Sequence, residues 1–270
     1  MLLHSRVYSL NAIALGLLIL ISSCEKGEVE NERVSPSLPP YFGFLQEFGL
    51  FDLSENSVDT NYRFAQESVA EWNSFLTDGM ESPIESWSEV REDLPTWDEN
   101  EEAWIWYAEF NDTKGNYSAA LHGWKDKKEL KWRMYFDHQG IYKDFLWYTG
   151  TTRVDSTYGK WRVYQNEIYD NPYIDIQWWN SADTDNDTIM FEKVRPNDVR
   201  AGSTFRFGRF ENIKEESEVF ITMYDALDNA NIEIWMNEET GEGGVKSGAF
   251  FGDQSWHCWD DKGQNTLCID

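Results

Sequence analysis

Asp183, Asp185 and Asp187 alternate as D-x-D-x-D in the stretch SADTDND. Hard cations such as Ca²⁺ take several oxygen ligands, and alternating carboxylates supply them. An EF-hand loop would need glycine where Thr188 stands and glutamate where Val194 stands. Both are missing, and the segment joins two strand-like runs, so an acidic hairpin tip is the plainer reading. Calcium is the only cofactor this pattern offers. Histidine is scarce: once the leader carrying His4 is removed, His122, His138 and His257 remain. The chain has no HExxH, GxSxG or CxxC and no phosphate-binding glycine loop. Carboxylates are plentiful, and two placed across a cleft would suit glycoside hydrolysis. Glu109, Asp175 and Glu233 lie in strand-like runs, where each either faces a cleft or forms the wet side of a sheet. No pair stands out.

The three cysteines divide into two roles. Cys24 follows an apolar run from Ala12 to Ile21, too short to span a bilayer and of the length of a secretory h-region. The order Ile21-Ser22-Ser23-Cys24 resembles the lipobox of bacterial lipoproteins. That resemblance implies removal of residues 1–23 and acylation of Cys24. One acyl chain holds a protein weakly, whereas two or three anchor it stably. Residues 24–40 then read as an anchor and a flexible tether, charged and Pro/Ser-rich with little to bury. The acids after Cys24 also look like the surface-export signals of Bacteroidota lipoproteins, and equally like a solvated linker. The expected location is the outer membrane, on its periplasmic or its outer face. Cys258 and Cys268 flank the turn residues Asp260-Asp261-Lys262-Gly263, so a hairpin would bring them together as a disulfide, which persists outside the cytoplasm. A metal site using both cysteines and His257 is the alternative, without an evident fourth ligand.

Net charge is −26, and the leader holds one basic residue and no acid, so the mature chain is one unit more negative. Such a chain repels nucleic acid and anionic headgroups. Aromatic residues make up 16% of it, including 14 tryptophans. Disordered chains lack aromatics, so residues 41–270 are expected to form one folded domain under an acidic shell.

Ala65, Val69, Trp72 and Leu76 share a helical stripe, and Ser82-Pro83-Ile84-Glu85 reads as a second helix start. Helices are expected over 58–77 and 83–91. From about residue 102 the period becomes two. Trp104, Trp106, Ala108 and Phe110 share a face, as do Leu130, Trp132, Met134 and Phe136. Trp161 with Val163, Ile174 with Ile176 and Trp178, Phe205 with Phe207, Val219 with Ile221 and Met223, and Ile232 with Ile234 and Met236 continue the pattern. Turn residues such as DTKGN, KDKK and DNAN bound the runs. Eleven or twelve strands with short connections require antiparallel neighbours. The expectation is a mainly β fold, an up-and-down meander forming a curled sheet or a barrel, with one or two N-terminal helices. On the opposite face Tyr107, Tyr135, Tyr164, Trp179 and Trp235 present rings with polar tips. They either line a groove for an apolar or glycan ligand or pack beneath the helices.

YSAALHGW, KWRMYF, FLWYTG, GKWRVYQ and the closing CWDDKGQNTLC resemble a group of uncharacterised Bacteroidota-type lipoproteins with Trp/Tyr-rich meandering strands. The likeness covers about residues 102–270. It implies an all-β fold and a lipid anchor and brings no catalytic motif. Asp155-Ser156-Thr157 and Asp187-Thr188-Ile189 also match the short O-glycosylation pattern of Bacteroidota. Three functions follow as expectations: a non-enzymatic binding module, a docking subunit of an envelope complex, or a carboxylate glycosidase or lyase. Replacing Cys24 with serine should abolish the lipid mass increment and move the chain out of the membrane fraction; mass spectrometry of the mature protein checks this.

Overall fold

The structure is a computed structural model, and it describes residues 34–40, 51, 59–166, 169–180, 187–211 and 217–268. Among them lie fourteen strands in one sheet, in strict sequence order and antiparallel throughout. The strands are β1 (Thr96–Asp98), β2 (Ala103–Asp112), β3 (Gly115–Asp126), β4 (Glu129–His138), β5 (Tyr142–Arg153), β6 (Tyr158–Asn166) and β7 (Tyr169–Asn180). They continue as β8 (Asp187–Lys193), β9 (Thr204–Glu211), β10 (Ser217–Asp225), β11 (Ala230–Asn237), β12 (Gly243–Lys246), β13 (His257–Trp259) and β14 (Asn265–Thr266). The helices are α1 (Thr60–Val90) and a single turn, α2 (Gly248–Phe251). The meander is the one the period-two runs specify. Its extra strands are the short ones, at most four residues long, at its two ends.

Helix α1 has 31 residues, about 46 Å at 1.5 Å per residue, and it is a single helix. The two helices expected around Ser82-Pro83 are therefore corrected to one. Proline removes a helix hydrogen bond and crowds the carbonyl four residues back, but tertiary packing overrides that local signal. Ser82, Pro83, Ser86, Trp87 and Val90 are all buried. The Ser82 hydroxyl donates to the Asp112 carboxylate, and the Ser86 hydroxyl bonds Pro83 O at 2.8 Å.

The sheet curls around this helix. Trp87 meets Trp161 of β6 edge to face at 5.2 Å. Ser86 Oγ lies 3.3 Å from the Tyr148 hydroxyl of β5. Trp72 lies 5.6 Å from Phe205 of β9. At Gly79 the backbone comes so close to β7 that an added Cβ would fall 2.1 Å from the Tyr173 ring. Helix α1 also touches β2 and β3 at one end of the meander and β12, β13 and β14 at the other. Among the described residues no hydrogen bonds join β1 to β14, so the sheet is curled without being closed.

The inward residues align across ten strands. From β2 to β11 the row runs Trp104, Gly123, Trp132, Gly150, Trp161, Ile176, Phe191, Phe205, Met223 and Ile232. Tryptophan and glycine alternate over its first half, with the Trp132 and Trp161 indoles each lying over a glycine of the preceding strand. A Cβ on Gly150 would sit 2.1 Å from the Trp161 ring, and one on Gly123 2.5 Å from Trp132. Two bulges add rings to the interior. The β4–β5 register slips so that Trp147 and Tyr148 are both buried. The β6–β7 register slips beside Tyr173, which stacks on Phe75 at 5.0 Å.

The C-terminal hairpin caps α1. Asp59 N–H donates to Gly263 O at 3.0 Å. Asn61 N–H donates to Asn265 Oδ1 at 3.2 Å, and its side-chain amide donates to Cys258 O at 3.0 Å. These partners satisfy donors that a helix start leaves open. Cys258 and Cys268 are disulfide-bonded, with Cα atoms 5.2 Å apart, as the hairpin reading expects. At the other boundary, the last residues of the stretch read as a tether lie against the body. Leu38 packs on the core, and Pro39 O accepts from Arg91 at 2.6 Å.

Alanine ordinarily improves on glycine inside a strand. Gly150→Ala should instead lower stability by about 1–3 kcal/mol, the cost of overpacking, as read from the urea midpoint. A gain would show that the indole is free to move. Cys258→Ser/Cys268→Ser should lose about 2.5–3 kcal/mol, the chain-entropy value for a loop of this length. Adding reductant should match the loss in the wild type and change nothing further in the double variant.

Candidate functional site

Among the described residues α1 and the inward rings pack into one core, and a hollow stands on the outer face. A groove of about 510 Å³ crosses β3 to β7. Thr149 and Thr151 of β5, with Gly150 between them, form its floor. Longer side chains rise on both sides: Trp124, Lys131 and Arg133 from β3 and β4, and Lys160, Arg162, Tyr164, Asp175 and Gln177 from β6 and β7. The hollow has a local cause. A strand carrying short threonines lies between strands carrying Lys, Arg, Trp and Tyr, all at positions that alternate away from the core.

Four cations line this groove in a chain of net charge −26. Two of them are paired. Lys131 Nζ lies 2.8 Å from Glu129. Arg162 clamps Asp175 through two bonds of 2.7 and 2.6 Å. That clamp raises the guanidinium's pKa further, so Arg162 stays charged at any accessible pH. The other two cations, Arg133 and Lys160, are exposed and have no carboxylate within ion-pair distance among the described residues. The Arg133 guanidinium lies 5.1 Å from the Trp124 ring centre, a cation–π contact that holds both in place. The groove thus offers a flat indole, a phenol, two hydroxyls and two free cations. Such groups bind sugar hydroxyls and anions, and none of them is an activated nucleophile.

Of the aromatic residues proposed for ligand binding, Tyr164 lines the groove. The others stand elsewhere on the outer face. Tyr107 and Tyr135 flank Ala120 across β2, β3 and β4; Tyr107 is 54% exposed. Trp179 is paired with Tyr158, their ring centres 5.8 Å apart. Trp235 lies over Gly244 beside Cys258. The structure therefore does not gather these five around one site. Asp183 and Asp185 lie outside the described residues, as does Cys24, while Asp187 opens β8 opposite Asn180. Among the described residues no group of three or more His, Cys, Asp or Glu side chains is placed to hold a metal.

The other chemistry-bearing residues have separate structural settings. His122 Nδ1 lies 2.7 Å from Glu101, His138 packs 4.4 Å from Tyr117, and His257 stacks on Phe251 at 3.8 Å. Glu233 pairs with Lys246 at 3.0 Å. Glu109, Ser118 and Asp137 form one cross-strand row in a second hollow of about 640 Å³, at the far end of β2–β4, lined by acids and amides. Lys193 lies over Trp72 and Phe75 at 4.5 and 4.3 Å, and burial lowers its pKa. Burial beneath α1 likewise pushes the Tyr148 hydroxyl above the usual phenol range.

Sequence reasoning missed the cationic half of the groove. A signal for it was present: from Lys125 to Arg162 there are nine basic residues against five acidic ones. That is a local inversion of the charge of the whole chain. Comparison with known families, curated proteins and solved structures gives no match for this chain. No helix among the described residues is long and apolar enough to cross a membrane.

Proposed function

We propose that this chain is a lipid-anchored, non-enzymatic binding module of the outer membrane, and that its outer-face groove holds a glycan. The observation that carries this reading is the groove itself, where Trp124 and Tyr164 flank hydroxyl and guanidinium donors above a threonine floor. A sugar ring offers an apolar face to an indole and hydroxyls to the surrounding donors, so this lining matches a carbohydrate better than a lipid tail. The packing of α1 against the inward aromatics among the described residues supports the same choice over an apolar cargo. Support for the anchor comes from the leader and Cys24 alone. A hydrolase is less well supported, because Asp175 and Glu233 are each held by their own cation and Glu109 stands apart on β2.

Calorimetric titration of the purified mature protein with neutral and acidic oligosaccharides tests the groove. Trp124→Ala should weaken binding at least tenfold, about 1.4 kcal/mol, with the thermal midpoint unchanged. Equal binding by wild type and variant would place the ligand elsewhere.

A further inference from the structure

We propose that the ligand is a polyanionic glycan, bearing carboxylates or sulfates, that runs out of the groove across the strands as far as Arg206. This rests on the groove being the glycan site.

The register of the sheet builds the track. Trp124, Lys131, Thr151, Lys160, Gln177, Met190 and Arg206 are successive cross-strand partners on seven adjoining strands, β3 to β9. They form one continuous row across the outer face, six strand spacings or roughly 29 Å along the curl of the sheet. Cations recur along it at β4, β6 and β9. Lys131 and Lys160 are two strand spacings apart, about 10 Å, with only a threonine between them. An aromatic ring stands at each end. Trp124 begins the row, and at the far end Arg206 lies 5.9 Å from the ring of Trp179, itself 37% exposed. Tyr158 adjoins Trp179, and Arg153 lies 5.8 Å from the Tyr158 ring. The same-face row beside the groove adds Arg133.

A row of this length exceeds any single sugar, so its occupant is a polymer. Cations spaced by two and three strands match a chain whose charges are set apart by neutral groups. Duplex nucleic acid carries its charges far more densely, at one per about 1.7 Å, than cations two and three strands apart match. Lys160 and Arg133, with no carboxylate within ion-pair distance among the described residues, supply the charges, while Trp124 and Trp179 supply faces for the sugar rings.

The test uses the mature protein with six probes: polygalacturonate, digalacturonate, heparin, neutral dextran, single-stranded oligo(dT) and phosphatidylglycerol vesicles. Polygalacturonate or heparin should bind, with affinity falling steeply as salt rises, and dextran should bind at least tenfold more weakly. Arg133→Gln/Lys160→Gln should reduce binding at least tenfold, with Lys160→Arg retaining it. Arg206→Gln should weaken a long polygalacturonate but leave a digalacturonate unaffected, because only the long chain reaches β9. All three sites are on the outer face, and an unchanged thermal midpoint verifies the fold. Equal binding of dextran would overturn the polyanion inference and leave the glycan groove standing. Binding of oligo(dT) or vesicles with no glycan bound, or of no probe at all, would overturn both. An Arg206→Gln effect as large on the digalacturonate as on the polymer would overturn the track.

Discussion

The inner face of a curled sheet has less room than its outer face, and this protein lines that face with tryptophan. Strands lie about 4.8 Å apart, so indoles on every successive strand would crowd a buried helix; among the described residues two stand side by side only at the sheet's edge, Trp97 and Trp104, 5.5 Å apart. The alternation of Trp104, Gly123, Trp132, Gly150 and Trp161 resolves the conflict. Trp132 and Trp161 each lie across a glycine of the preceding strand, where no side chain stands in the way. The layer thus stays thin enough for α1 to pass beneath it, with Trp87 reaching Trp161 at 5.2 Å. Gly79 extends the same device to the helix, where a missing side chain admits Tyr173.

The remaining architecture depends on this packing. A helix of 31 residues carrying a proline in its second half keeps its course because the sheet surrounds it. Its N-terminus is secured by the disulfide-closed hairpin at the other end of the chain, so the first and last described elements are stapled together. With α1 and the inward rings packed together, the groove is built from the outward residues. There the pleat that buries Trp132 and Trp161 places Lys131, Arg133, Lys160 and Arg162 in solvent. The same alternation produces the core and the cationic groove.

The period-two runs were legible because they rest on strand geometry alone. Leu130, Trp132, Met134 and Phe136 are inward as their spacing requires, and so are Ile174, Ile176 and Trp178. Ser82-Pro83 was legible only as a local signal, and local signals yield when burial of Trp87 and Val90 outweighs one lost helix hydrogen bond. Tyr173 was illegible because its orientation depends on a bulge, an irregularity in pairing that no periodicity encodes. That Tyr107, Tyr164, Trp179 and Trp235 lie on the face opposite the first stripe could be read; that this face is the outer one, and that they stand apart on it, could not.

The sequence by itself determined the class of fold, the inward faces, the antiparallel order and the pairing of Cys258 with Cys268. These follow from properties of a few adjoining residues: pleat, turn chemistry and connection length. Only the tertiary structure decided that the two helical signals are one helix, that the sheet wraps around it, and that Trp124 and Arg206 share a row. Those facts depend on register across seven strands, and register is a property of pairing between strands rather than of any one stretch of chain.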